Sequence, residues 1–234
     1  MSLKERYHRP NLYQMREIAM LLTFIGGFID SYTYVLRGHV LAASQTGNII
    51  FLSVNLANHN LPGALVKICS LISFVIGVGL VTLLNLRFKV SNYWRLATLF
   101  PGIVTCIIVG MLPANTSDVI IIGLLSLSMS MQTTSFSMIE GQAYNNVFST
   151  GNLKKAIISL SYFIYNHDRD KLNTFLLYIE LVFCFAIGAL VSAILQKEFN
   201  LHTIWIAAFL QFLVAIWYAV IINWRENYQN KQRK

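Results

Sequence analysis

Six long apolar segments run through this sequence and decide its class of fold. An α-helix needs about 20 apolar residues to cross the roughly 30 Å hydrocarbon core of a bilayer. Each of the six reaches or approaches this length, so we predict an all-α integral membrane protein with six transmembrane helices. The predicted spans are Ile18 to Leu36, Leu65 to Leu86, Leu96 to Leu112, Val119 to Ile139, Phe175 to Leu195 and Thr203 to Ile222.

The composition excludes the other common classes of protein. Of 234 residues, 56% are hydrophobic and 12% are charged, whereas an ordinary soluble domain has about 45–50% and 25%. The 15 Phe and 11 Tyr exclude a disordered chain, because disordered chains are poor in aromatic residues. The net charge of +8 comes from short Lys and Arg clusters between the apolar segments. Such clusters are typical of topology signals, so we predict no nucleic-acid partner.

Two further segments, Val40 to Ala57 and Tyr144 to Tyr165, are apolar but interrupted by glycine and polar residues. Glycine is a poor helix former, and Thr, Asn and Gln are costly where they face lipid. The two segments are therefore either broken, re-entrant elements within a six-span protein or full spans in an eight-span protein.

The distribution of basic residues favours six spans. Lys and Arg near the ends of spans favour the cytoplasm. With six spans, residues 1–17 and 223–234 are cytoplasmic tails around a single membrane domain at 18–222, and only Arg37, Lys67 and Lys197 lie outside. With eight spans, the basic cluster between Arg87 and Arg95 also moves outside.

An internal repeat relates the two halves of the membrane domain. Gln45-Thr46-Gly47-Asn48 matches Ser149-Thr150-Gly151-Asn152, and the four residues from Phe74 match the four from Phe185. We predict two repeats, 18–112 and 119–222. Three full crossings per repeat would place the second copy upside down relative to the first, as in many secondary transporters. With eight spans, the repeats would instead be parallel.

Polar residues inside the apolar segments are the candidates for a binding site. An ionisable group at membrane depth, here Asp30, is a functional candidate, and broken helices expose backbone groups to solutes near the bilayer midplane. Alternatively, Asp30 caps the broken element or pairs with Arg37, and the other polar groups support helix packing or bond to their own helix. The predicted substrate-binding residues are Asp30, Gln45, Thr46, Gly47, Asn48, Gln132, Thr150, Gly151 and Asn152.

The sequence favours neither an enzyme nor a metalloprotein. It contains no hydrolase, phosphate-loop, dinucleotide or metal-binding motif. The five histidines lie in the N-terminal tail, in loops and at span ends, and the three cysteines lie inside apolar segments, with no ligand spacing in either set. We therefore predict no catalytic residue, no metal site and no cofactor.

The ordered motifs resemble the YoaK-like family of bacterial multi-spanning inner-membrane proteins. The resemblance covers about residues 15–222 and rests on Gly-Phe-Ile-Asp in the first span and on the two Thr-Gly-Asn elements. The matching positions are Gly27, Asp30, Thr46, Gly47, Asn48, Gln132, Thr150 and Gly151. The chain departs from the family pattern at Ser31, where Ala is common, and at Thr133, where Asn is expected.

This resemblance implies a location in a bacterial inner membrane and supplies no substrate, because the family is a domain of unknown function. We predict a transporter or permease for a small polar or charged solute, coupled to protons or cations through Asp30. Its small size favours a homodimer. The alternative is a membrane scaffold, sensor or assembly protein in which the polar residues join helices.

Overall fold

A computed structural model describes residues 12–88 and 93–232, and this part of the chain is almost entirely helical. Short 3-10 turns lie at Leu12–Gln14 and Asn200–Thr203, and a small hairpin pairs β1 (Met138–Ile139) with β2 (Gln142–Ala143). The helices are α1 (Arg16–Leu36), α2 (Gln45–Ala57), α3 (Leu61–Arg87), α4 (Tyr93–Met111), α5 (Asp118–Ser135), α6 (Ser149–Asn166), α7 (Arg169–Phe199) and α8 (Ile204–Gln232).

The all-α class is confirmed, with the hairpin as a small exception. The predicted tail residues before Leu12 and the basic residues Lys89, Arg233 and Lys234 lie outside the described residues. At the other end, α8 continues to Gln232, so most of the predicted C-terminal tail extends the last helix.

Four helical stretches of the described chain are long and apolar enough to cross a membrane: Arg16–Leu36, Leu61–Arg87, Tyr93–Met111 and Arg169–Tyr228. The last stretch has 60 residues and contains α7 and the part of α8 up to Tyr228. These helices are separated at Asn200, whose φ of 48° lies in the left-handed region and redirects the chain. Most of the predicted spans thus correspond to long apolar helices.

Helix α5 is shorter and more polar than the span predicted from Val119 to Ile139. It ends at Ser135, after the polar run that begins at Gln132, and the chain then enters the β-hairpin. Polar side chains lower the mean hydropathy of its second half, so α5 is not one of the four stretches.

The two interrupted segments become helical only in their later parts. Helix α2 starts at Gln45 and α6 starts at Ser149, while residues 37–44 and 144–148 before them are not helical. The 13 residues of α2 reach about 20 Å at 1.5 Å per residue. This helix is therefore too short to cross a bilayer alone.

Glycines let α1 and α7 cross at close range. A Cβ atom at Gly27 would overlap the carbonyl of Phe185, and a Cβ atom at Gly188 would overlap the carbonyl of Phe24. Arg16 pairs with Glu180 at one end, so the two helices run parallel. Small residues commonly permit such close contact between membrane helices.

Helices α3 and α5 form a second parallel pair. Gly77 of α3 faces Leu127 and Ser130 of α5, and the thiol of Cys69 contacts the carbonyl of Val119. In contrast, α4 and α8 are antiparallel, because Tyr93 bonds to Glu226 at one end and Trp205 bonds to Ile107 at the other. Helix α2 packs on α3, and α6 packs on α7.

The glycine contact between α3 and α5 generates the first prediction. We expect Gly77→Ala to destabilise the protein, because the added Cβ would collide with the Leu127 carbonyl and the Ser130 side chain. Overpacking of this kind costs about 1–3 kcal/mol. The measurement is the thermal unfolding midpoint of the purified protein in detergent.

Gly79→Ala is the matched control, because nothing lies within 4 Å of a Cβ at Gly79 on the same helix. This variant should unfold at or slightly above the wild-type midpoint, since Ala has the higher helix propensity. Equal destabilisation by both substitutions would contradict close packing at Gly77.

Candidate functional site

The connection between α1 and α2 turns back towards the middle of α1. Gly38 and His39 adopt positive φ angles of 70° and 50° and reverse the chain. Residues 40–44 then return to Asp30, two turns before the end of α1. The Ala43 N–H donates to Asp30 Oδ1 at 2.9 Å, and the Ser44 hydroxyl donates to Asp30 Oδ2 at 2.6 Å. Helix α2 therefore starts beside the middle of α1.

A side-chain amide holds this returning segment in place. Leu41 N–H donates to Asn48 Oδ1 at 2.9 Å, and Asn48 Nδ2 donates to the Leu41 carbonyl at 2.6 Å. The amide of Asn48 also lies 3.0 Å from Ser70 Oγ on α3. One buried side chain thus satisfies both backbone groups of Leu41, as a neighbouring strand would.

The second connection repeats this arrangement before α6. Asn145 N–H donates to Asn152 Oδ1 at 3.4 Å, and Asn152 Nδ2 donates to the Asn145 carbonyl at 2.7 Å. Here Asn145 Oδ1 accepts the N–H groups of Val147 and Phe148, the two residues directly before α6. The carboxylate of Asp30 therefore has an amide oxygen as its counterpart in the second half.

The two connections touch each other. Ser44 Oγ lies 3.2 Å from the carbonyl oxygen of Val147, a residue 103 positions further along the chain. The start of α2 and the start of α6 therefore lie side by side, next to Asp30.

A cavity of about 710 Å³ lies where these helix starts face α1 and α7. It brings together five predicted site residues: Asp30, Thr46, Gly47, Thr150 and Gly151. The remaining lining residues are Gly27, Ser31, Tyr34, Leu41, Ser44, Val147, Phe148, Ser149, Phe185 and Ala189.

The other predicted site residues do not line this cavity. Gln45, Asn48 and Asn152 are buried behind it, where the two asparagines hold the backbone. Gln132 lies between α5 and α8, where its Oε1 accepts a hydrogen bond from Gln211 Nε2 at 3.2 Å. The structure therefore separates Gln132 from Asp30.

Some lining residues had only a weak signal in the sequence. Ser31 follows Asp30 directly and Tyr34 follows it by one helical turn, so helical spacing indicates that Tyr34 shares its face. Phe185 and Ala189 come from α7, 155 or more positions away. No local pattern connects them with Asp30 apart from the match between the segments that begin at Phe74 and Phe185.

Asp30 is 3% exposed. Its contacts show the capping role that the sequence left as an alternative. The other alternative, a pair with Arg37, is not formed, because Arg37 instead faces Asp118 with 3.9 Å between Nη1 and Oδ1. Within the described ranges, no Lys, Arg or His nitrogen lies within 4.0 Å of the Asp30 carboxylate.

Comparisons with known proteins support the membrane assignment and give no activity. A family described as "Protein of unknown function (DUF1275)" matches residues 18–217. A protein of Bacillus subtilis (strain 168) named "UPF0700 transmembrane protein YoaK" is 26% identical over 206 residues, which cover 82% of this chain and 88% of that protein. No solved structure matches this chain.

The two asparagine contacts generate the second prediction. We expect Asn48→Ala and Asn152→Ala each to lower the free energy of unfolding by about 1–3 kcal/mol, because each leaves buried backbone groups without a partner. Thermal unfolding in detergent measures this effect.

Thr46→Ala and Thr150→Ala serve as controls from the same two helix starts. Their hydroxyls line the cavity and make no hydrogen bond within the described part of the chain. They should therefore unfold at the wild-type temperature. If both asparagine variants unfolded at the wild-type temperature, the structural role of Asn48 and Asn152 would be contradicted.

Proposed function

This chain belongs to the DUF1275 family of proteins of unknown function and is a membrane protein, and we propose that it is a transporter or permease for a small polar or charged solute. Its membrane domain has six spans and two re-entrant elements, arranged as inverted repeats. The observation that carries the proposal is the single cavity in which Asp30 meets both Thr-Gly elements.

Matching contacts in the two halves support the repeat. The α1–α7 pair corresponds to α5–α3, the α1–α8 pair to α5–α4, and the α2–α3 pair to α6–α7. The asparagine contacts before α2 and α6 correspond as well. Two copies related by a twofold axis would produce this pattern.

The directions of the helices support the inverted relation. Arg95 at the start of α4 lies over the ring of Tyr13 before α1, so these two helices begin on one side. Arg95 Nε also reaches the carbonyl of Ser135, the last residue of α5, so α5 ends on that side. Helices α1 and α4 therefore run against α5 and α8, their counterparts in the second copy.

This arrangement suits alternating access. In secondary transporters, solutes bind near the midplane between repeats, and one repeat rocks against the other. The cavity draws its walls from both halves, since Asp30 and Thr46 come from the first and Thr150 and Phe185 from the second. Rocking of one repeat against the other would change the side of the membrane to which the cavity is open.

Asp30 has the position of a coupling group in this proposal. A carboxyl group at this depth is expensive to keep ionised without a cation. Its exchange between a charged and a neutral state, by a proton or a bound cation, would couple the solute to an ion gradient. The same carboxylate also holds the start of α2, so its charge state can act on a moving element.

The third prediction concerns flux. A library of metabolites and ions is first screened for solutes that raise the unfolding temperature, because a ligand of the folded state stabilises it. Each hit is then tested for uptake into proteoliposomes. We expect Asp30→Asn to fold but to reduce this uptake to the level of empty liposomes.

Glu180→Gln is the control, because it removes the charge of a carboxyl group that pairs with Arg16 outside the cavity. It should retain uptake. Wild-type uptake by Asp30→Asn would exclude Asp30 from coupling, and the absence of any hit with folded protein would favour the scaffold alternative.

The fourth prediction distinguishes six spans from eight. In a background without Cys69, Cys106 and Cys184, single cysteines are placed at Asn58, Asn115 and His167 and treated with a membrane-impermeant thiol reagent in whole cells. Asn58 and Asn115 lie outside in the six-span topology and inside in the eight-span topology. We expect both positions to react from outside.

His167 is the internal control, because both topologies place the α6–α7 turn in the cytoplasm together with the N- and C-termini. A cysteine there should react only after the membrane is permeabilised. Protection of Asn58 and Asn115 in intact cells would overturn the six-span proposal.

A further inference from the structure

Among the described residues, the cavity contains one carboxyl group and no basic side chain to pair with it. Asp30 is the only carboxyl group among the lining residues, and no Lys, Arg or His lines the cavity. The basic residues at the two ends of α1 face other carboxylates, since Arg16 pairs with Glu180 and Arg37, which follows the helix, faces Asp118. A buried carboxylate without a cationic partner is costly. A proton or a bound cation would remove this cost.

Acceptor groups of the protein itself lie just before the starts of α2 and α6. Helix N-termini attract negative charge through their free N–H groups. Before α2, the N–H of Ala43 already meets the Asp30 carboxylate, and before α6 the N–H groups of Val147 and Phe148 meet the Asn145 side chain. These bonded N–H groups belong to residues just before the two helices, and the Asp30 carboxylate lies beside the positive end of α2. We take the full charge of Asp30, rather than the partial charges of the helix starts, as the feature that sets the sign of the ligand.

The walls of the cavity are largely apolar and aromatic. Tyr34, Phe148 and Phe185 contribute rings, and Leu41 and Val147 contribute aliphatic surface. Aromatic faces attract cations, and they do so more strongly when water is excluded. A volume of about 710 Å³ also falls within the range of small-molecule sites.

We infer that the solute of this cavity is a hydrophobic organic monocation, which binds in exchange for a proton on Asp30. This inference rests on the transport function proposed above and specifies its solute. When the cation arrives, the Asp30 carboxyl releases one proton to the aqueous phase and becomes its counter-ion. When the cation leaves, one proton returns, so each cycle exchanges one positive charge for another.

The test compares two probes of one shape and opposite charge. Tetraphenylphosphonium and tetraphenylborate are measured by equilibrium dialysis against the full-length protein in detergent, with protein-free micelles as background. We expect saturable binding of the phosphonium above this background and none of the borate. Equal binding of both ions, or of the borate alone, would overturn the inference.

Two variants locate the bound cation. Asp30→Asn should weaken phosphonium binding by about a hundredfold, because the site loses its counter-ion. Tyr34→Ala should weaken it about tenfold through loss of an aromatic wall. Glu180→Gln should bind as wild type does. Unchanged affinity in a folded Asp30→Asn protein would overturn the inference.

The pH dependence of phosphonium binding to the wild-type protein tests the inference even if Asp30→Asn does not fold. At pH values below the titration range of Asp30, the affinity of the wild-type protein for the phosphonium should fall about tenfold for each unit by which the pH is lowered. The reason is that one proton competes with one cation for the carboxylate. Among the described residues that line the cavity, the other ionisable side chain is Tyr34. Affinity that does not change with pH would contradict exchange at Asp30.

The inference and the transport function fail in different ways. Asp30-dependent binding of the phosphonium without its uptake into proteoliposomes would contradict the transport function. It would still support a cation-binding site at Asp30. Asp30-dependent uptake of another solute, with which the phosphonium does not compete and which it does not inhibit, would support transport. It would contradict the inference that the solute is a hydrophobic cation.

Discussion

Backbone groups inside a bilayer have no water to bond with, and this constraint governs how the two interrupted segments fold. Non-helical backbone at such depth must be satisfied by protein or face a wet cavity. Asn48 and Asn152 meet this need by holding both backbone groups of Leu41 and Asn145. Their bonds let the chain turn back beside α1 and start a helix there. Without them, the cavity would have no walls from α2 and α6.

Two kinds of packing combine around the cavity. Glycines at positions 27 and 188 bring the backbones of α1 and α7 together, and this close crossing supplies a stiff wall. The starts of α2 and α6 have fewer neighbours, because α2 packs mainly on α3 and α6 mainly on α7. The site thus joins a close helix crossing to two helix starts that are held mainly by hydrogen bonds from Asp30, Asn48 and Asn152.

The sequence predicted the class of fold, the long apolar helices and the meeting of Asp30 with both Thr-Gly elements. The class of fold and the helices depend on the local length and composition of the apolar segments, whereas the meeting of the two Thr-Gly elements follows from the internal repeat. The role of Asn48 and Asn152 could not be predicted, because an amide beside a broken helix bonds equally well to a solute or to backbone. Gln132 is similar, since its partner Gln211 lies 79 positions away and no local pattern identifies it.

The contact between Ser44 and the Val147 carbonyl has a consequence for synthesis in the cell. Its two residues leave the ribosome 103 positions apart, so the start of α2 emerges well before the segment that lies beside it. Until α6 arrives, the start of α2 lacks this contact, although it can already meet Asp30 on α1 and Ser70 on α3. The two connections can therefore meet only after much of the second half has been translated, so this part of the fold is completed late in synthesis.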